Sequence, residues 1–277
     1  MILHATEHGA GAPILLLHGL YGAAQNLGMI ARALPDYRVI ALDARNHGAS
    51  PHAPDMGYDR LARDVLETMD ALHVGAAALI GHSMGGKTAM MVSLLAPARV
   101  RALAVLDIAP LIYDHAETRA ELIDAMAALK LTPGLTRQQA NADLAAAIPD
   151  AALRSFLLNN LRLSHADTPS WRLDLAAIRA ALPTLTGWVD PVPLVPYAGP
   201  SLFLRGENSA YVPLDAQPDA MAAIHRRFPG AVIETIAQAG HWLHAEQPHA
   251  VNQALHRFLA SAEYPCAQPS ARLNPSP

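Results

Sequence analysis

Within LIGHSMGGKTAM, residues 79–90, two chemistries overlap. Gly81, Ser83 and Gly85 fit GxSxG, a tight turn that presents a serine hydroxyl as a nucleophile. Gly81, Gly86, Lys87 and Thr88 fit GxxxxGK[ST], the phosphate-cradling loop of nucleotide-binding proteins. By chance the first pattern occurs in about one chain in ten of this length and the second in about one in a hundred. LAVLD, ending at Asp107, even resembles the strand and aspartate that hold magnesium in nucleotide hydrolases. Rarity alone therefore points to phosphate.

Context points to the serine. A serine hydrolase needs backbone donors for an oxyanion, a base and an acid, each at a set place along an α/β chain. LLLHGLYG puts His18 and Gly19 directly after an early strand, where a backbone N–H can face a nucleophile. AGHWLHAEQP puts His241 just after the last strand, and of the 14 histidines it alone follows a glycine there. A phosphate loop uses neither element. Ser83 is thus the candidate nucleophile and His241 the candidate general base. On this reading Lys87 lies about one turn into the helix after Ser83, as a surface or cap-facing ion pair. His244 should bond within its turn, His47 should sit in a loop near the site, and His18 should support its own loop.

The elements that must position these groups are legible as short aliphatic runs at residues 14–17, 39–42, 77–80, 103–106, 202–204 and 232–236. Continuous apolarity over so few residues marks strands buried on both faces. Helical periodicity fills residues 27–34, 58–72 and 84–95, so strand and helix alternate as in a parallel sheet covered by helices on both faces. From about residue 113 to 182 the alternation stops. Amphipathic stretches such as ETRAELIDAMAALK and WRLDLAAIRAAL follow one another between breakers, which predicts a helical insertion without strands. A terminal helix is expected over 248–259, then a Pro- and Ser-rich tail with the composition of disorder.

Composition narrows the partners. The 277 residues are 52% apolar and 16% charged, with a net charge of −4 and no Lys/Arg cluster of the kind that binds nucleic acid or an anionic membrane. A small-molecule partner is expected, with no nucleic acid and no membrane. MILHATEHGAG has neither the basic start nor the apolar run of a signal peptide, and the single Cys266 precludes an internal disulfide. These features predict a soluble, cytoplasmic protein and leave its oligomeric state open.

HGLYG, DARNHGAS, GHSMGGKTAM and AGHWLHAEQP together resemble the α/β-hydrolase superfamily over about residues 3–260. DARNHG with GHSMGGK is similar to its branch of small bacterial carboxylesterases and thioesterases, related to mitochondrial abhydrolase-domain proteins. The resemblance implies an α/β-hydrolase fold with a helical cap inserted after strand 6 in the family's count, the strand LAVLD. Residues 1–110 and 188–262 would form the core, 111–187 the cap and 263–277 the tail. It implies an oxyanion hole from the N–H groups of Leu20 and Met84, and no metal or organic cofactor. In most of the superfamily the acid follows the next strand in a GxxD pattern, but GENS puts Ser209 there. A neutral hydroxyl cannot stabilise an imidazolium as a carboxylate does. Asp107 is therefore the preferred acid, as in the small-esterase branch, with Glu207 as the alternative; Asp43 is expected to hold the turn after its own strand. Tyr21, Leu111, Ile112, Tyr113, Trp171, Trp188 and Trp242 are the candidate pocket lining.

The implied function is hydrolysis of esters or thioesters of small to medium apolar acyl groups through an acyl-enzyme. Carbon–carbon bond hydrolysis or cofactor-free perhydrolysis would use the same residues. A non-catalytic binding protein is the reading from a different class, prompted by Ser209, and nucleotide binding is the remote one. Serine at the elbow argues against dehalogenase or epoxide-hydrolase chemistry, which needs a carboxylate nucleophile.

Overall fold

A computed structural model describes residues 1–114, 116–163, 168–212 and 218–265. The sheet strands are β1 (Ala5–His8), β2 (Pro13–Leu17), β3 (Arg38–Leu42), β4 (Ala77–His82) and β5 (Val100–Leu106). An insertion carries the small hairpin of β6 (Leu161–Arg162) and β7 (Ser170–Trp171), and then come β8 (Ser201–Gly206) and β9 (Ala231–Ile236). The main sheet has the order β1-β3-β2-β4-β5-β8-β9. All its pairings are parallel except that of β1 with β3.

Side chains alternate between the faces of these strands, and each face builds its own core. Leu15, Leu17, Leu79 and Val105 join one cluster, while Ile14, Leu16, Ile80 and Ala104 join the other. The second is closed by α1 (Gly28–Ala33) and the terminal helix (Pro248–Ser261), through residues such as Ile30 and Leu255. The first is closed by α2 (Tyr58–Ala71), α3 (Met84–Leu95) and α8 (Pro218–Arg227). In α3, MGGKTAMMVSLL is buried from Met84 to Leu94, as expected of a helix that is apolar nearly all round.

Between β5 and β8 lie α4 (Ala116–Ala128), α5 (Arg137–Asp143), α6 (Ala151–Leu158) and α7 (Leu175–Thr186). Side-chain caps start three of them: Thr136 accepts from the Gln139 N–H, Asp150 from Ala152 and Leu153, and Asp174 from Ala177. Ile123, Met126, Leu157, Ile178 and Leu182 pack into the same cluster as α2 and α3, which seats this cap on one side of the sheet. The cap follows the strand ending at Leu106, sixth in the family's count and fifth here.

Three elements differ from the sequence expectation. The β6–β7 hairpin interrupts an insertion expected to lack strands; two residues per strand are too short to show a periodicity. β1 is also unexpected, because ATEH is polar and lies on an exposed sheet edge. Residues 263–265, assigned to the tail, continue the fold: Tyr264 is buried, stacks on Tyr37 and donates its hydroxyl to the Pro13 carbonyl. The rest of the expected tail, with Cys266, lies outside the described residues. Among the described residues no helix is long and apolar enough to cross a membrane.

Register places the site. Leu17 pairs with Gly81, His82 with Leu106, Leu106 with Leu204 and Gly206 with Ile236, so these strands end along one edge. The residues that follow them gather there, where ligand crevices form in α/β folds.

Candidate active site

Ser83 occupies the turn between β4 and α3 at φ 53° and ψ −118°. A non-glycine residue in this region costs about 1–3 kcal/mol, which the surroundings must offset. The Ser83 N–H is held by the Leu106 carbonyl at 3.0 Å, and the Lys87 N–H bonds back to the Ser83 carbonyl at 3.0 Å. The two pattern glycines are there for close approach. A Cβ on Gly85 would stand 2.1 Å from the Leu17 carbonyl oxygen, and one on Gly81 would stand 2.3 Å from that of Gly85. Gly85→Ala is therefore expected to destabilise the protein by about 3 kcal/mol, read from the urea midpoint, because backbone rather than a movable side chain is in the way.

Asp107 ends β5 with 0% exposure, and its N–H bonds the Leu204 carbonyl at 2.8 Å. Its Oδ1 accepts the Gly206 N–H at 2.8 Å. Its Oδ2 accepts the Ser209 hydroxyl and lies 2.8 Å from His241 Nδ1. On the other side of the ring, His241 Nε2 is 3.1 Å from Ser83 Oγ. With Nδ1–H donated to the carboxylate, Nε2 carries the lone pair that faces the serine. Ser209, at the position where the GxxD pattern has its acid, donates to the Asp107 carboxylate at the end of the neighbouring strand. Glu207 is exposed and its Oε2 accepts the Gln238 N–H at 2.8 Å, away from this relay.

The His241 ring is sandwiched. Tyr211 stacks on it with centroids 3.8 Å apart, and His82 Nε2 bonds the His241 carbonyl at 2.9 Å. Arg119 of the cap donates to the Tyr211 hydroxyl, and Tyr113 donates its own to the Tyr211 carbonyl at 2.7 Å.

The loop after β2 is fixed by neutral histidines. His18 Nε2 accepts the Ala44 N–H at 2.9 Å and its Nδ1 is 2.8 Å from the Gly19 carbonyl. His47 Nε2 accepts the Tyr21 N–H at 3.2 Å, and the Gly22 N–H bonds Gly19 at 2.9 Å. The Leu20 N–H, and that of Met84 at the first position of α3, are left without a partner among the described residues. Asp43 accepts the Ala24 and Ala49 N–H groups and so holds the turn after β3.

Burial holds His18, His47, His82 and His244 below the ordinary imidazole range, to about 3 for His47 and about 4 for His244. Below pH 6.5 the unfolded chain binds protons that these folded groups refuse, so stability must fall as pH drops from 6.5 towards 4. A histidine whose folded value lies well below the pH, as for His47, contributes a loss of up to about 1.4 kcal/mol per pH unit over this range. Urea midpoints at pH 7 and pH 5 should therefore differ clearly, with the lower value at pH 5.

A mostly apolar cavity of about 420 Å³ opens beside Ser83 and His241. Of the expected lining, Tyr21 and Trp242 face it, whereas Arg119, Leu122, Leu153, Phe156 and Tyr211 line it without having been expected. Tyr113 borders a smaller cavity of about 30 Å³ with Ser83, Met84, Lys87 and Arg119. Leu111, Ile112 and Trp188 do not line the large cavity; they border a separate open groove at the base of the cap, where Ile112 is 79% exposed. Trp171 is packed within the cap, its indole N–H on the Met126 carbonyl at 3.1 Å.

Two further expectations are corrected. Lys87 faces the cap, as one of the two expected placements had it, but with carbonyls rather than an ion pair: it is buried and donates to those of Leu111, Thr186 and Gly187. Burial, with a smaller push from Arg119, lowers its ammonium to about 7. Because Gly85 and Gly86 lie in the first turn of α3, the open loop that would cradle phosphate does not form. His244 makes no bond within its turn; its Nδ1 has no partner among the described residues, and its ring packs on His82 at 4.5 Å. Among the described residues no group of three or more His, Cys, Asp or Glu could hold a metal ion.

The sheet order, the strained serine turn and the relay at the strand ends define a class. The chain belongs to the α/β-hydrolase fold family, whose model matches residues 12–248. It is 39% identical over 249 residues to Esterase YbfF of Escherichia coli (strain K12), covering 90% of this chain and 93% of that one. It is 38% identical to the sn-1-specific diacylglycerol lipase ABHD11 of Mus musculus, over 89% of this chain and 80% of that protein. A solved structure described as a marine microorganism esterase superposes with a TM-score of 0.87 at 35% identity, covering 93% of this chain and 99% of the other.

Proposed function

We propose that this chain is a serine hydrolase of carboxylic esters or thioesters with small to medium apolar acyl groups, working through an acyl-enzyme on Ser83. The observation that carries this reading is the unbroken relay from the Asp107 carboxylate through His241 to the Ser83 hydroxyl, at the wall of an apolar cavity. Relatives named as an esterase and a diacylglycerol lipase support the ester bond as the target.

Ser83 Oγ attacks the carbonyl carbon while His241 Nε2 takes its proton. The Leu20 and Met84 N–H groups receive the oxyanion, helped by the partial positive charge at the start of α3. Collapse expels the alcohol or thiol, which takes the proton from His241. Water then gives a proton to the same nitrogen and attacks the acyl carbon; the bond to Ser83 Oγ breaks, that oxygen takes the proton back from His241, and the acid leaves. Asp107 stays ionised throughout and balances the imidazolium. Its partners, the Gly206 N–H and the Ser209 hydroxyl, keep it oriented. No step calls on a metal or organic cofactor. Residues 1–110 and 188–262 carry this chemistry, and the cap, 111–187, selects the substrate through Arg119, Leu122, Leu153 and Phe156.

Acid-quenched mixtures with a series of 4-nitrophenyl esters, acetyl to octanoyl, test this by intact-mass spectrometry. A burst of nitrophenol with one acyl group added to the protein is the expected result. Neither adduct nor turnover with any member of the series would overturn the reading.

A further inference from the structure

Lys87 has no part in the relay, yet it is a lysine with 1% exposure inside an apolar helix. Removing an ammonium from water costs several kcal/mol unless its donors are met. Here they are met by three carbonyls: Leu111 at 2.8 Å, Gly187 at 2.7 Å and Thr186 at 3.3 Å. As an ammonium Lys87 has three N–H bonds, one for each carbonyl; burial lowers it to about 7, and the neutral amine above that still offers two donors to the same carbonyls.

The identity of the carbonyls gives this contact its meaning. Leu111 is on the strand of chain that enters the cap, and Thr186 and Gly187 are where the cap returns to the core. Thr186 ends α7 and Gly187 caps it, so their carbonyls lack partners in the helix and carry its partial negative charge. Entry and exit are also tied to each other, since the Tyr113 N–H bonds the Thr186 carbonyl at 2.9 Å. The rings of Tyr113 and Tyr58 flank Nζ at 4.7 and 5.6 Å, in range for cation–π attraction.

We propose that Lys87 is a positioning residue that pins both hinge strands of the cap to the helix bearing Ser83, one turn away, and so fixes the height of the cap over the nucleophile. The cavity between cap and core then has one depth, and discrimination between short and long acyl groups depends on it. A residue that merely filled the core could be replaced by a methionine of similar volume; a pin could not, because the part-buried Leu111 and Gly187 carbonyls would lose the Lys87 donor and Thr186 would keep only the Tyr113 N–H.

The test compares wild type with Lys87→Met and Lys87→Gln by hydrogen exchange and by steady-state kinetics. In wild type the Tyr113 amide should be protected like the amides of β4. In Lys87→Met, exchange in peptides covering 108–114 and 184–189 should rise about tenfold or more, while β4 is unchanged within about twofold. Lys87→Gln, which retains donors, should fall between. On octanoyl and acetyl esters, Lys87→Met should change the ratio of their KM values about tenfold and leave kcat within about threefold. The kinetic part rests on the proposed hydrolysis at Ser83, whereas exchange is independent of any activity, so the two ideas can fail separately. An exposed Tyr113 amide in wild type, or an unchanged hinge in a folded variant, would overturn the pin. Should Lys87→Met not fold, the wild-type amide and Lys87→Gln decide the matter.

Discussion

Replacing Ser83 with alanine is expected to lower kcat on a 4-nitrophenyl ester by about a millionfold while leaving the fold intact. The substitution removes one oxygen from a residue whose backbone is fixed by its own N–H on Leu106 and its carbonyl on Lys87. It creates no clash and leaves no buried donor without a partner, so the melting temperature should barely move. On the proposed mechanism, however, the relay loses the atom that forms the bond to the substrate. A variant retaining more than about a hundredth of the activity would place the nucleophile elsewhere.

Asp107→Asn is expected to cost about ten-thousandfold in kcat. The fixed hydrogen bonds around the carboxylate determine how the amide must lie. The Gly206 N–H claims the oxygen that replaces Oδ1, so the amide NH2 occupies the place of Oδ2 and points at His241. A donor there forces His241 Nδ1 to accept and moves the ring proton to Nε2, opposite Ser83. The base is then in the wrong tautomer, and no carboxylate balances its charge during attack. Glu207→Gln is the control: Glu207 is exposed and bonds Gln238, so its effect should stay within about twofold. Loss of activity in the Glu207 variant with retention in the Asp107 variant would reverse the assignment of the acid.

The parts of this arrangement readable in the sequence are those dictated by local backbone geometry. ILLL, VIAL and LAVL are continuous aliphatic runs because their strands are covered on both faces, and the serine turn announces itself because Gly81 and Gly85 have no room for a Cβ. Asp107 and His241 are legible because one stands directly after β5 and the other in the loop that follows β9, at the edge where the strands end. Ser209 is instructive in the opposite sense. A missing carboxylate at that position reads as a defect, but its hydroxyl bonds the carboxylate supplied by the adjacent strand.

What escaped the sequence depends on how helices are turned in three dimensions. Leu122, Leu153 and Phe156 face the cavity only because of how the cap helices α4 and α6 are seated, and nothing in their spacing separates them from cap core. Leu111 and Ile112 adjoin the strand end in sequence, yet they border the groove at the base of the cap. Lys87 carried a usable signal. In MGGKTAMMVSLL no polar face exists for a lysine to occupy, so its ammonium had to be buried and matched.

The central claim is that Ser83 is the activated nucleophile of this fold, and labelling with a fluorophosphonate followed by peptide mass mapping tests it most directly. One equivalent of label on the peptide containing Ser83, lost in Ser83→Ala and strongly slowed in Asp107→Asn, is the predicted result. Label on another residue, or none on a folded protein, would contradict it.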